Sequence, residues 1–324
     1  MKLRLDFNLL AGCLGALVLA VLLYRLGPAA VLAELGRVGW GWALIIGQEI
    51  LPILANTWGW HCTFLKPLRQ VPLGRLFRMR LAGDGFNYLI PSATLGGEVL
   101  RVNLLRREMA VGAAAASVTV AKFTQFLGQA LFIALGLMLA APFAPLKPGL
   151  LPVLWALLLG CVIFLGLVLL GLWRGMFSRL TRLLLAWLPA RLKGYLPVDQ
   201  AAELDRDISA FLRDDQPAFW ASTLSFGLAW ALGSVEVLLI FYFLGLPPDL
   251  ATAVTVETLS VFIDALLFFV PGKLGTQEGG KVLIFISLGL PPVSGLAFGL
   301  IRRIRELTWA GLGVACLFTF REDR

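Results

Sequence analysis

Two polar stretches of an otherwise apolar chain carry acids and bases at matched spacing. The first runs Asp84-Gly-Phe-Asn87-Tyr-Leu-Ile-Pro91-Ser92-Ala-Thr94-Leu-Gly-Gly-Glu98-Val-Leu-Arg101. The second runs Asp264-Ala-Leu-Leu-Phe-Phe-Val-Pro271-Gly-Lys273-Leu-Gly-Thr-Gln277-Glu278-Gly-Gly-Lys281. In each, an acid lies seven residues before the proline, a glutamate seven after it and a base ten after it, and the two stretches are 180 residues apart. Bases and amides in such a set can hold an anionic group, and carboxylates can orient the bases or carry protons.

Other ionisable residues interrupt apolar segments. Arg302, Arg303, Arg305 and Glu306 stand in one, with apolar residues on both sides. Each arginine costs about 2.5–3.5 kcal/mol at the centre of a bilayer on insertion scales, so three facing lipid would cost about 8–10 kcal/mol. They must meet acids, carbonyls or water. Helical spacing places Arg302, Arg305, Glu306 and Trp309 on one face. Glu257, Ser260 and Asp264 form a second stripe, Thr119, Lys122, Gln125 and Gln129 a third, and Gln48, Pro52 and Asn56 a fourth. The candidate binding residues are therefore Asp84, Asn87, Ser92, Thr94, Glu98, Arg101, Lys122, Gln125, Glu257, Asp264, Lys273, Gln277, Glu278, Lys281, Arg302, Arg305 and Glu306.

Several chemistries are disfavoured. Gly275-Thr-Gln-Glu-Gly-Gly280-Lys281-Val282 approaches a P-loop, but Val282 replaces the hydroxyl residue that binds Mg²⁺, and an apolar helix precedes it rather than a strand. Cys13, Cys62, Cys161 and Cys316 have no metal or redox spacing and suit packing. His61 is the single histidine. No metal, cofactor or nucleophile–histidine pair is expected, and hence no enzyme. The formal charge is +8, but the bases cluster beside apolar segments, as topology determinants do, which argues against nucleic acid.

The elements that must position these residues are membrane helices. The chain of 324 residues is 59% hydrophobic and 15% charged, where a soluble domain carries about a quarter charged. Apolar runs predict spans at 8–26, 41–65, 111–141, 150–173, 217–245 and 292–320, with interrupted segments at 76–107 and 250–290 and an amphipathic interfacial stretch at 174–215. Residues 1–23 resemble a signal peptide, but Tyr24 and Arg25 follow where a cleavage site would stand, which predicts a retained helix. With both termini in the cytoplasm, 19 bases fall inside, Arg80 and Arg101 among them, and Arg25, Arg37 and Lys147 outside. That balance requires each interrupted segment to enter and leave by one face. The prediction is an all-α membrane domain over 1–324: six spans and two re-entrant hairpins in inverted halves, 1–145 and 150–324. The 180-residue spacing also pairs Trp40 with Trp220, Asn56 with Glu236 and Lys122 with Arg302.

Irregular backbone at membrane depth needs protein or trapped water to satisfy it. Each proline ends a helix, and the following half-helix is expected to offer N–H groups at its start. The 150–173 and 8–26 helices, nearly free of polar residues between their ends, are expected at the periphery. Two blander arrangements fit the same residues: surface helix–loop–helix connections, and structural pairs such as Glu98 with Arg101 and Glu278 with Lys281.

The pattern Asn87-x3-Pro91, then Gly97-Glu98-x2-Arg101, then Pro271-Gly-x-Leu-Gly-x2-Glu278, resembles the lysylphosphatidylglycerol synthase transmembrane-region (flippase-like) family. Pro271 to Trp309 is most similar to its hopanoid-biosynthesis-associated branch. Ser92-Ala-Thr94 departs from the glycine-containing turn of many relatives. The resemblance implies a multi-pass protein of the bacterial inner membrane that moves lipids. In multiple-peptide-resistance members an aminoacyl-transferase domain follows this region; the sequence stops at Arg324, so that activity is not expected. The implied substrate is a membrane lipid of the phospholipid, polyprenyl-phosphate or hopanoid class. A second copy of the chain or lipid-biosynthesis enzymes are the candidate protein partners. An intramembrane lipid-modifying enzyme and a scaffold for such enzymes are the alternatives.

Overall fold

The computed structural model describes residues 2–64, 71–89, 96–173, 211, 214–267 and 275–322. The two proline tips, with Ser92, Thr94 and Lys273, and almost all of 174–215, lie outside them. All regular secondary structure among the described residues is helical. In chain order they form α1 (Lys2–Leu26), α2 (Pro28–Arg37), α3 (Gly41–Gln48), α4 (Ile50–Cys62), α5 (Leu73–Leu89), α6 (Gly96–Leu105), α7 (Val111–Leu139) and α8 (Leu151–Trp173). There follow α9 (Gln216–Leu244), α10 (Leu250–Leu266), α11 (Thr276–Ser287) and α12 (Pro292–Glu322).

Helices α7 and α9 have the length and apolar composition to cross a bilayer. α12 is longer, at 31 residues, but carries its charges mid-helix. Helices lie in each of the apolar segments expected to hold spans, with two differences in detail. The chain folds back by 88° between α1 and α2, where Gly27 takes φ +85 and Pro28 starts the new helix, so a helix stands where only a connection was expected. The 41–65 segment is broken at Glu49. Pro52 cannot donate to Gln48 four residues back and crowds its carbonyl, which ends α3 there.

Two apolar cores flank the broken helices. One joins α4, α5, α6 and α7 and includes Trp60, Phe64, Leu76, Leu104, Leu105, Val118 and Ala121. The other joins α3, α9, α10, α11 and α12 and includes Ile240, Leu244, Val256, Ile284, Phe285, Phe298 and Ile301. Each residue of the second set stands 180 positions after its counterpart in the first. The packing follows the same pairing: α5 lies on α4, α6 and α12, while α10 lies on α9, α11 and α7. α8 is peripheral, as expected, with Val153, Trp155, Leu159, Val162 and Ile163 exposed. α1 is not merely peripheral, because its Gly15 backbone packs against Gly275 at the second break.

Candidate functional site

At the first break, α5 and α6 approach through glycines. A side chain at Gly97 would overlap the Gly83 carbonyl and Asn87. This closeness brings the charges together. Arg101 donates to Asp84 at 2.5 Å and to Glu98 at 3.3 Å, and Lys122 of α7 reaches Glu98 at 3.0 Å. Asn87 donates to Glu98 at 2.9 Å and accepts from the Gly97 N–H at 2.6 Å. Arg80 joins at 3.4 Å from Asp84 and lies over the Phe226 ring. It is buried among these partners, where the sequence marks it only as one of the bases on the cytoplasmic side. Gln125 is half-buried one turn beyond Lys122.

The second break repeats the arrangement. Lys281 donates to Asp264 at 3.1 Å, as Arg101 does to Asp84. Gln277 also donates to Asp264, at 3.1 Å. Glu278 accepts from the Gly275 N–H at 2.8 Å and pairs with Arg303 of α12, as Glu98 pairs with Lys122 of α7. Of the two bland pairs, Glu98–Arg101 forms, but Lys281 turns to Asp264 rather than Glu278. At each half-helix start one N–H group is already engaged. Gly97 and Gly275 already donate, to Asn87 and Glu278, because a short polar side chain lies within reach of each.

The two breaks meet. Arg303 donates to the Tyr88 hydroxyl of α5 at 3.4 Å and to Gln277 at 3.2 Å. Further along the same pair of helices, Gly85 and Gly313 let α5 and α12 touch backbone to backbone, since a Cβ on either would overlap the other helix.

A third cluster gathers the remaining α12 arginines. Arg302 pairs with Glu257 and, at 3.0 Å, with Glu236. Arg305 pairs with Glu49, with Glu236 at 3.1 Å and with its neighbour Glu306 at 3.7 Å. The Glu236 contacts are charge contacts off hydrogen-bond alignment. Glu257 comes close because Gly233 of α9 has no side chain in its way, and Arg302 also donates to the Gly233 carbonyl at 3.3 Å. The sequence placed Arg302, Arg305, Glu306 and Glu257 with the other site residues. The structure gives them their own cluster. Glu49, Glu236, Arg303, Arg80 and Tyr88 were missing from the candidate set. An acid within an apolar run was a usable signal for Glu49 and Glu236. His61 stacks on Trp58 at 5.5 Å, a packing role. Among the described residues, no group of His, Cys, Asp and Glu suits a metal ion.

Exposure separates the clusters. Asp84 is 45% and Lys122 29% exposed, whereas Glu278 is fully buried. Beside Arg80, an apolar groove of about 460 Å³ runs between α4 and α5, lined by Ile50, Leu54, Trp58, Leu73 and Phe77 among others.

Long apolar helices and charge clusters buried between them define a multi-pass helical membrane protein. Residues 8–314 match the family model of the lysylphosphatidylglycerol synthase TM region, and the chain belongs to that family. No curated protein and no solved structure matches the chain.

Proposed function

We propose that this chain is a lipid transporter rather than an enzyme. It would carry an anionic headgroup across the bacterial inner membrane through a wet cavity where two broken helices meet. The observation that carries this reading is the partial exposure of Asp84 and Lys122 at a cluster whose other members are buried. Charged side chains inside a bilayer face a water-filled cavity or each other, not lipid. Arg80, Arg101 and Lys122 exceed Asp84 and Glu98 by one charge, which favours an anion. The groove one turn from Arg80 would take the apolar tail while the headgroup lies against Lys122 and Arg101. Membership of a family described by a lipid synthase's transmembrane region supports a lipid cargo.

The recurrence of core and charge positions at one spacing supports an inverted repeat. In that layout six helices cross fully, both termini are cytoplasmic, and the two hairpins enter from opposite faces.

The test is translocation in proteoliposomes of an anionic phospholipid labelled on its headgroup, with a membrane-impermeant quencher outside. The wild-type protein should expose inner-leaflet label to the quencher, and Lys122→Ala should slow that phase. A wild-type trace that stops at the outer leaflet contradicts transport. A changed covalent mass of the lipid points to the enzyme alternative.

A further inference from the structure

The α12 cluster has more acid than base. Glu236 and Glu257 are buried, and Arg302 and Arg305 suffice to neutralise them. Glu49 and Glu306 are then surplus, and both lie against Arg305. Their side chains are 21% and 24% exposed, so they form the open edge of a cluster that is otherwise closed. Two carboxylates with no base left to balance them in a low-dielectric site are unfavourable as a pair of anions, and a proton on one of them is the smallest cation that reduces the surplus.

We propose that Glu49 and Glu306, grouped around Arg305, bind one exchangeable proton, and that its uptake and release are coupled to lipid movement. The coupling half rests on the transport reading above; the proton site does not. The step is simple. An O–H bond forms on a carboxylate oxygen of the pair with a proton drawn from water, and it breaks to return that proton to water.

Three observations support the location. First, Glu49 stands between α3 and α4, where Pro52 interrupts the helical hydrogen bonding, so its bond to Arg305 ties α12 to that interruption. Second, Gln48 beside it holds both amide atoms buried without a partner among the described residues, which leaves a donor and an acceptor free to hold a water beside the carboxylate. Third, α12 is anchored next to this interruption, where Trp309 donates to the Ile46 carbonyl at 2.8 Å. The charges facing Glu49 are Arg302, Arg305 and Glu306 of α12 and Glu236 of α9, with Glu257 of α10 behind Arg302. Glu306 also faces Arg303 of α12, which is already paired with Glu278, and the Tyr88 hydroxyl of α5, whereas Arg80 and Lys122 belong to the first-break cluster.

The experiment is infrared difference spectroscopy of the full chain in detergent, between mildly acidic and mildly alkaline pH, on wild type, Glu49→Gln/Glu306→Gln and Asp264→Asn. The wild type should show a protonated-carboxyl band that disappears with rising pH. The double variant should lose it and Asp264→Asn should keep it. No titrating band in wild type, or an unchanged band in the double variant, overturns the proton site. Loss of the band in Asp264→Asn alone does so too. Circular dichroism of each variant establishes that it is folded; Glu49→Gln and Glu306→Gln singly serve if the double variant is not. Proteoliposomes with an imposed pH gradient then test coupling. Wild-type translocation should respond to the gradient, and Glu49→Gln should lose that response. Wild-type translocation indifferent to the gradient overturns coupling. Absence of any translocation overturns transport and leaves the spectroscopic result to stand alone.

Discussion

The two breaks are built alike and tuned differently. In each, an acid before the break meets a base on the following half-helix: Asp84 with Arg101, and Asp264 with Lys281. In each, a glutamate on the half-helix meets a base on the next long helix: Glu98 with Lys122, and Glu278 with Arg303. The first break has an extra base in Arg80 and leaves Asp84 and Lys122 partly exposed. At the second, acids and bases are equal among the described residues, and Glu278 and Lys281 are buried. One scaffold can thus present an open, net-positive site and a closed, neutral one. The open one can hold an anion, and the closed one fastens α11 to α12.

The comparison can be broken by truncating acids on the two sides. Glu278→Ala leaves Arg303 with its main acid gone in a buried site, and loss of one partner of a buried pair costs about 3–5 kcal/mol. Asp84→Ala should cost less, because that side chain is 45% exposed and Arg101 keeps a second acid in Glu98. Thermal unfolding in detergent checks the order. Equal losses would mean that the two clusters are equally closed.

The contact between the breaks can be strained next. Gly313→Leu puts a side chain into the α5 backbone where the two helices touch. Overpacking of this kind costs about 1–3 kcal/mol. It should also part Tyr88 from Arg303, which a disulfide-trapping assay on Tyr88→Cys/Arg303→Cys, with and without Gly313→Leu, would register as slower cross-linking.

The smallest effect concerns how each hairpin is fastened at its base. Arg75 pairs with Glu108 at 2.7 Å at the base of the first. Asp249 caps α10 at the base of the second, accepting from the Thr252 hydroxyl at 2.6 Å and its N–H at 2.7 Å. These bonds hold the Asp249 carboxyl below the usual carboxylate range. Its contribution is therefore complete above the unfolded-state value of about 3.9 and is lost as pH falls through the folded-state value. Asp249→Ala should cost about 1 kcal/mol at neutral pH. In a denaturant titration, the gap from wild type should close on acidification.

Much of this was legible in the residues. Apolar runs located the long helices, and the prolines marked the breaks. The matched acids and bases announced the clusters, because charge inside an apolar segment has few places to go. What spacing could not decide was pairing. Arg303 and Arg302 are neighbours on α12 yet face different clusters, and the 180-residue alignment pointed to Arg302 where the partner of Glu278 is Arg303. Arg80 looked like one more base near a helix end, since burial of a guanidinium over Phe226 depends on a helix more than a hundred residues away. The bend at Gly27 and the break at Glu49 rest on single residues whose effect is settled by packing.

The central claim is that the two breaks enter the membrane from opposite faces and share one charged interior. Cysteines at Arg106 and at Pro248, both exposed near the bases of the first and second hairpins, test it in a background without Cys13, Cys62, Cys161 and Cys316. A membrane-impermeant maleimide should label Arg106→Cys only in inside-out vesicles and Pro248→Cys only in right-side-out ones. Labelling of both positions from the same side would contradict the inverted arrangement.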